Sequence, residues 1–172
     1  NFLDYTAKRV AENQQLLSFI PTERVPSRLI LTLADDNVGI LSQSAMGSLH
    51  SLMTHMKDHG WNGYSTRFWL LAELDPTVHY LSRASFDSSV TPHTASRDLF
   101  VALTGNEAAA DRIWQAFQHI EAATNLIDHH AIGFGFPVSG MMMKHYHPAD
   151  DPVWWTEVTE HYNQAMIEFF RS

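Results

Sequence analysis

The sequence predicts an α/β chain, with a strand–helix–strand unit near its start and a mainly helical region after it. Three observations carry this reading. Leu29-Ile30-Leu31-Thr32-Leu33-Ala34 is a short apolar run that ends abruptly in Asp35-Asp36-Asn37. A one-sided helical pattern follows, and then a second strand-like run, Tyr64-Ser65-Thr66-Arg67-Phe68-Trp69. Beyond Asp75 the strand signals give way to a series of helix starts.

Taken in order, the opening segment is helical in pattern up to Phe19-Ile20 and stops at Pro21, where Pro21 and Pro26 bracket a turn. Leu29 to Ala34 is nearly all apolar, as expected of a strand buried on both faces of a parallel sheet. Leu49, Leu52, Met53 and Met56 recur at helical spacing, with Ser48 placed to cap the helix and Gly60 to end it. Trp61-Asn62-Gly63 leads into the second strand. Connections this short imply a right-handed crossover, hence adjacent parallel strands.

From Asp75 onward, Asp75-Pro76, Thr91-Pro92 and Asp151-Pro152 each set a capping side chain before a proline at the first helical position. The helices expected are Pro76–Phe86, Pro92–Thr104 and Pro152–Arg171. Asn106 caps a longer one whose face is marked by Ala110, Ile113, Trp114, Phe117, Ile120, Ala123 and Ile127. A loop from Ile132 to His147 interrupts the series. The chain therefore divides at about residue 74, with residues 1–74 as the strand-bearing part and 75–172 as the helical part.

Composition narrows the function. A net charge of -8, with the 11 Lys and Arg scattered, argues against a nucleic-acid surface, because phosphate contacts need clustered cations. No apolar stretch approaches the ~20 residues that span a bilayer, so no membrane partner is expected. The absence of cysteine removes disulfides and thiolate metal sites. The start at Asn1, without Met or a secretory leader, suggests a segment of a longer protein. Its expected partners are the remainder of that chain or a second copy.

The chemistry concentrates at the strand ends. If the two strands are parallel neighbours, Asp35-Asp36-Asn37 and Arg67-Phe68-Trp69 emerge at one edge, where α/β architectures bind substrates. Carboxylates and an amide hydrogen-bond hydroxyls, Arg67 can clamp an anionic group and Trp69 offers a stacking face, a set suited to a sugar. Asp35 and Asp36 are the candidate catalytic acids, able to divide general acid and general base roles. Asn37, Tyr64, Arg67, Trp69 and Glu73 are the candidate substrate-binding residues. The plainer alternative is that the two acids cap a turn and that Arg67 pairs with one of them.

Other features point to structure. Asp75 reads as a helix cap. His129-His130 and His145-Tyr146-His147 are the densest of eleven histidines, but no His-Glu-x-x-His pair is present. Asp128-His129-His130 follows a helix rather than a strand, unlike the Asp-His-His triplet of phosphoesterases. No metal or cofactor is expected, and most histidines should be solvent-facing or satisfied in the core. Met141-Met142-Met143 reads as packing material under a loop.

The segment from Gly60-Trp61-Asn62-Gly63-Tyr64 to Arg67-Phe68-Trp69, followed by helices, resembles the end of a (β/α)8 barrel from a glycoside hydrolase, of α-glucuronidase-like or hexosaminidase-like type. The resemblance is one of layout and covers roughly residues 28–86. It implies the last βα units of a TIM barrel with a helical region after them, and carbohydrate binding near Asp35, Asp36, Arg67 and Trp69. The expected function is thus part of a carbohydrate-active enzyme, a glycosidase using carboxylate acid/base chemistry. The competing readings are a helical interaction or scaffold domain and a His/Asp metal-dependent hydrolase.

Overall fold

The computed structural model describes residues 7–33, 42–67, 74–129 and 152–172. The elements are α1 (Ala7–Glu12), α2 (Gln14–Ser18), β1 (Arg28–Thr32), α3 (Met46–Asp58), β2 (Gly63–Arg67), α4 (Asp75–Ala84), α5 (Pro92–Thr104), α6 (Glu107–His129) and α7 (Pro152–Arg171). β1 and β2 pair in parallel, from Arg28 opposite Gly63 to Thr32 opposite Arg67, with α3 in the connection between them.

The barrel expectation is overturned. The described residues are mostly helical and hold only these two short strands. A (β/α)8 barrel buries each helix against a closed sheet. Here α5, α6 and α7 bury their apolar faces on one another, with Phe100, Ala110 and Phe117 in one cluster and Ala116, Ile120 and Ala165 in the next. Successive segments with 3.6-residue periodicity, with no strand between them among the described residues, leave helix-on-helix packing as their way to exclude water.

Burial of β1 on both faces is also corrected. Leu31 and Leu33 are buried against Leu17, Leu49, Leu52 and Leu74, whereas Ile30 on the opposite face is 65% exposed. Side chains alternate along a strand, so an unbroken apolar run says nothing about whether its second face is covered.

Local signals set most helix ends. Thr91 and Thr94 form a reciprocal capping box at α5: the Thr94 N–H donates to Thr91 Oγ1 at 3.2 Å and the Thr91 N–H to Thr94 Oγ1 at 3.0 Å. Asn106 Oδ1 accepts the Ala109 N–H at 3.1 Å at the start of α6. Gly60, at φ 71°, closes α3: its N–H reaches Lys57 O at 3.1 Å and the Trp61 N–H reaches Met56 O at 2.9 Å. The opening helix is broken into α1 and α2 at Asn13. Asp75 is not the cap expected of it. α4 begins at Asp75 itself, with the fully buried Leu74 at the cap position and no side-chain cap bond.

The start of α3 departs most from expectation. Ser48 does not cap it, because the helix begins two residues earlier, at Met46. Glu121 of α6 supplies the acceptor instead: its Oε1 receives the Gly47 N–H at 2.8 Å and the Ser48 N–H at 3.2 Å. Gly47 admits this approach, since a Cβ there would lie 3.1 Å from Glu121 Oε1. Two more bonds tie the same segment down. The Ser44 N–H donates to Thr124 Oγ1 at 3.2 Å, and Tyr162 Oη of α7 donates to Ser42 O at 2.7 Å.

α6 and α7 run antiparallel along a seam. Arg112 lies 3.6 Å from Glu168, Ala116 and Ala165 share a buried cluster, and His119 Nδ1 meets His161 Nδ1 at 3.3 Å. One of these two rings must donate and the other accept, so the contact needs at least one neutral imidazole.

Burial raises the Glu121 carboxyl above its ordinary value, opposed by the amide N–H groups of Ser48 and Gly47. A folded-state value above the unfolded one gives a contribution that is complete below the ordinary carboxyl range. That contribution is lost as pH rises through the raised value. Glu121→Gln keeps an acceptor without the charge and should flatten the stability–pH curve in this window. Glu121→Ala should lose about 1 kcal/mol below the ordinary carboxyl range and less as pH rises through the raised value. Urea unfolding at a series of pH values checks both, and parallel curves for wild type and Glu121→Gln would refute the carboxylate's part. Gly47→Ala should cost less than Glu121→Ala, because the carboxylate need shift by only a few tenths of an ångström to admit the methyl group.

Candidate functional site at the strand ends

Parallel pairing makes the chain leave β1 and β2 on the same side. Thr32 and Arg67, the last residues of the two strands, are register partners, and Leu33 just beyond is buried in the core. That edge is anchored by an apolar base and is where loops leave an α/β unit to meet ligands. Asp35, Asp36, Asn37, Trp69 and Glu73 lie outside the described residues. Arg67 is placed as the end of β2 by its backbone, while its side chain is likewise outside the description.

Tyr64 is the candidate whose side chain is described, and it is not at that edge. It pairs with Leu29 near the beginning of the strands, three residues before Arg67 and thus about 10 Å away along β2. Its hydroxyl donates to Leu81 O of α4 at 2.8 Å, and burial raises its pKa while the Ser85 hydroxyl opposes the shift. The ring lines an open cleft of about 580 Å³ between α3, the start of β2 and α4. Tyr64 and Arg67 therefore belong to opposite ends of the strand pair.

Behind Tyr64 the same cleft holds a pair that the sequence did not reveal. His50 Nδ1 lies 2.8 Å from Tyr80 Oη, with the rings edge-on at 6.0 Å, and Met53 Sδ lies 3.9 Å from the same hydroxyl. Burial, followed by the neighbouring Tyr64, pushes the Tyr80 phenol up to about 12. Tyr80 thus stays protonated at neutral pH and is a hydrogen-bond donor rather than a base. His50 and Met53 share a face of α3 by their spacing, but no local pattern connects them to Tyr80, 30 residues from His50. His50 is half-buried and hydrogen-bonded, as is His55, whose Nδ1 lies 3.0 Å from Ala11 O, whereas His79 Nε2 is buried without a partner among the described residues.

Among the described residues no three His, Asp or Glu side chains gather as metal ligands. His130, His145 and His147 lie outside the described residues, as does the side chain of His129. No family model matches the chain, and no curated protein or solved structure matches it.

Substituting the two tyrosines separates structural from ligand-binding roles. Tyr64→Phe removes the bond to Leu81 O and should lower stability by about 1 kcal/mol. Tyr80→Phe strands the His50 nitrogen and should cost about 1–3 kcal/mol. Denaturant unfolding followed by far-UV circular dichroism measures both, and no loss in either variant would show that these contacts do not hold the cleft.

Proposed function

We propose that the chain is part of a carbohydrate-active enzyme whose acid/base carboxylates are Asp35 and Asp36. One observation carries this reading. The parallel register sets Thr32 beside Arg67, so the segment bearing Asp35-Asp36-Asn37 and the segment bearing Phe68-Trp69 depart from one edge. In the chain, Asp36 follows four residues after Thr32 and Trp69 two residues after Arg67.

The chemistry asked of these groups is glycoside cleavage. One carboxylic acid protonates the departing glycosidic oxygen. The other, as carboxylate, either attacks the anomeric carbon or removes a proton from the attacking water. Asn37 and Glu73 would bond ring hydroxyls, Trp69 would stack on the apolar face of the sugar and Arg67 would take a carboxylate substituent bidentately. Nothing in this reading requires a closed barrel. It requires two strand ends, side by side.

Asp36→Asn in the intact protein should lower kcat/KM on aryl glycosides by at least about a hundredfold. Asp75→Asn should leave turnover unchanged, because Asp75 sits in the first turn of α4 and acts on the helix alone. Arg67→Lys should reduce preference for glucuronides over neutral glycosides, since an ammonium cannot form the two-pronged contact. Equal activity of the two Asn variants, at matched melting temperatures, would remove Asp36 from the chemistry.

A further inference from the structure

The cleft around Tyr64 lies at the opposite end of the strands from Thr32 and Arg67, and its lining has a chemistry of its own. Trp61 and Tyr64 are half-buried in its wall, and each has its polar atom turned to the fold. The indole N–H donates to Leu17 O at 3.0 Å and the phenol to Leu81 O at 2.8 Å. What the two rings offer the cleft is apolar surface. Phe86 on the rim is 95% exposed, an unusual position for a large apolar ring.

The polar lining is mixed in sign. Lys57 and Asp58, consecutive and exposed at the end of α3, have no ion-pair partner among the described residues. Asn62 accepts the Ser27 N–H through Oδ1 at 3.0 Å, which fixes the amide and leaves its NH₂ as a donor. An ammonium, a carboxylate and an amide donor beside aromatic rings match one ligand type well. Each sugar hydroxyl both donates and accepts, and the C–H face of a pyranose packs on aromatic rings. Asp58 disfavours a free anion, and Lys57 disfavours a cation.

We infer that this cleft is a second binding site, for a neutral pyranose sugar, separate from the strand-end edge. The cleft's volume of about 580 Å³ falls within the range of small-molecule sites, roughly 300–1,000 Å³. Tyr64 is then a sugar-contacting residue through its ring, as the sequence suggested, but in this cleft and away from Arg67. The inference does not depend on the roles assigned to Asp35 and Asp36.

Amide chemical-shift titration of the whole chain with cellobiose, N,N′-diacetylchitobiose and glucuronic acid tests it. Saturable shifts are expected at Gly63 and Ser88 with at least one of the two neutral disaccharides, and weaker ones with glucuronic acid. Phe86→Ala should raise the dissociation constant about fivefold, and Asp58→Ala should also raise it. Both residues are at the surface, so melting temperatures should hold. Asp36→Asn should leave these shifts intact, so loss of turnover and loss of cleft binding are scored separately. The inference is overturned by the absence of saturable shifts with both neutral sugars, or by shifts that neither Phe86→Ala nor Asp58→Ala weakens.

Discussion

A carboxylate from one helix holding the first turn of another is the polar tie around which the two parts of this protein are arranged. It stands beside the apolar cluster that joins Leu31, Leu49 and Leu52 to Tyr80, Leu81 and Ala95. Glu121 accepts the N–H groups of Gly47 and Ser48, which the helix itself cannot satisfy. α3 is the element that joins β1 to β2, so fixing its start also fixes the strand pair. Thr124 and Tyr162 grip the residues just before it, from α6 and α7 respectively. The strand-bearing part is thus referenced to the helical part by polar contacts of defined direction. Apolar packing alone would allow sliding.

The contact carries its own tension. Burial disfavours the Glu121 charge, while the amide dipoles favour it, and burial prevails. A neutral amide would serve the helix end without that opposition. The close approach is helped by glycine at position 47, where a Cβ would lie 3.1 Å from the carboxylate.

Helical packing explains why a strand–helix–strand unit does not grow into a barrel here. α4 covers the Tyr64 end of the pair through the bond to Leu81 O, and Leu31 and Leu33 face the same core as Leu49 and Leu52. α5, α6 and α7 pack on one another, with Met46 of α3 in the cluster of Phe100 and Phe117 and Ala95 of α5 in the strand-side core. The result separates the two ends of the strand pair. The chain leaves both strands on one side, at Thr32 and Arg67, and the strand beginnings open onto a cleft walled by aromatic rings.

What the sequence determined by itself is what acts within a turn or two of the chain. The Thr91 cap, the Asn106 cap, the Gly60 closure and the extents of α5 and α7 are short-range hydrogen bonding and 3.6-residue periodicity, and they match the sequence expectation. The parallel pairing was legible too, because a short helical connection leaves it little choice. The barrel was not decided by those signals, since strand number and closure depend on what packs over the sheet. Asp75 lost its cap role to the burial of Leu74, and Ser48 lost its own to an acid 73 residues away. His50 and Tyr80 found each other across 30 residues with no spacing rule to announce it, and the Tyr64 hydroxyl, at the start of β2, found Leu81 O of α4. Only the tertiary structure could decide these, because each is a competition between a local preference and a partner distant in the chain, won by burial and by hydrogen bonds the local segment cannot supply.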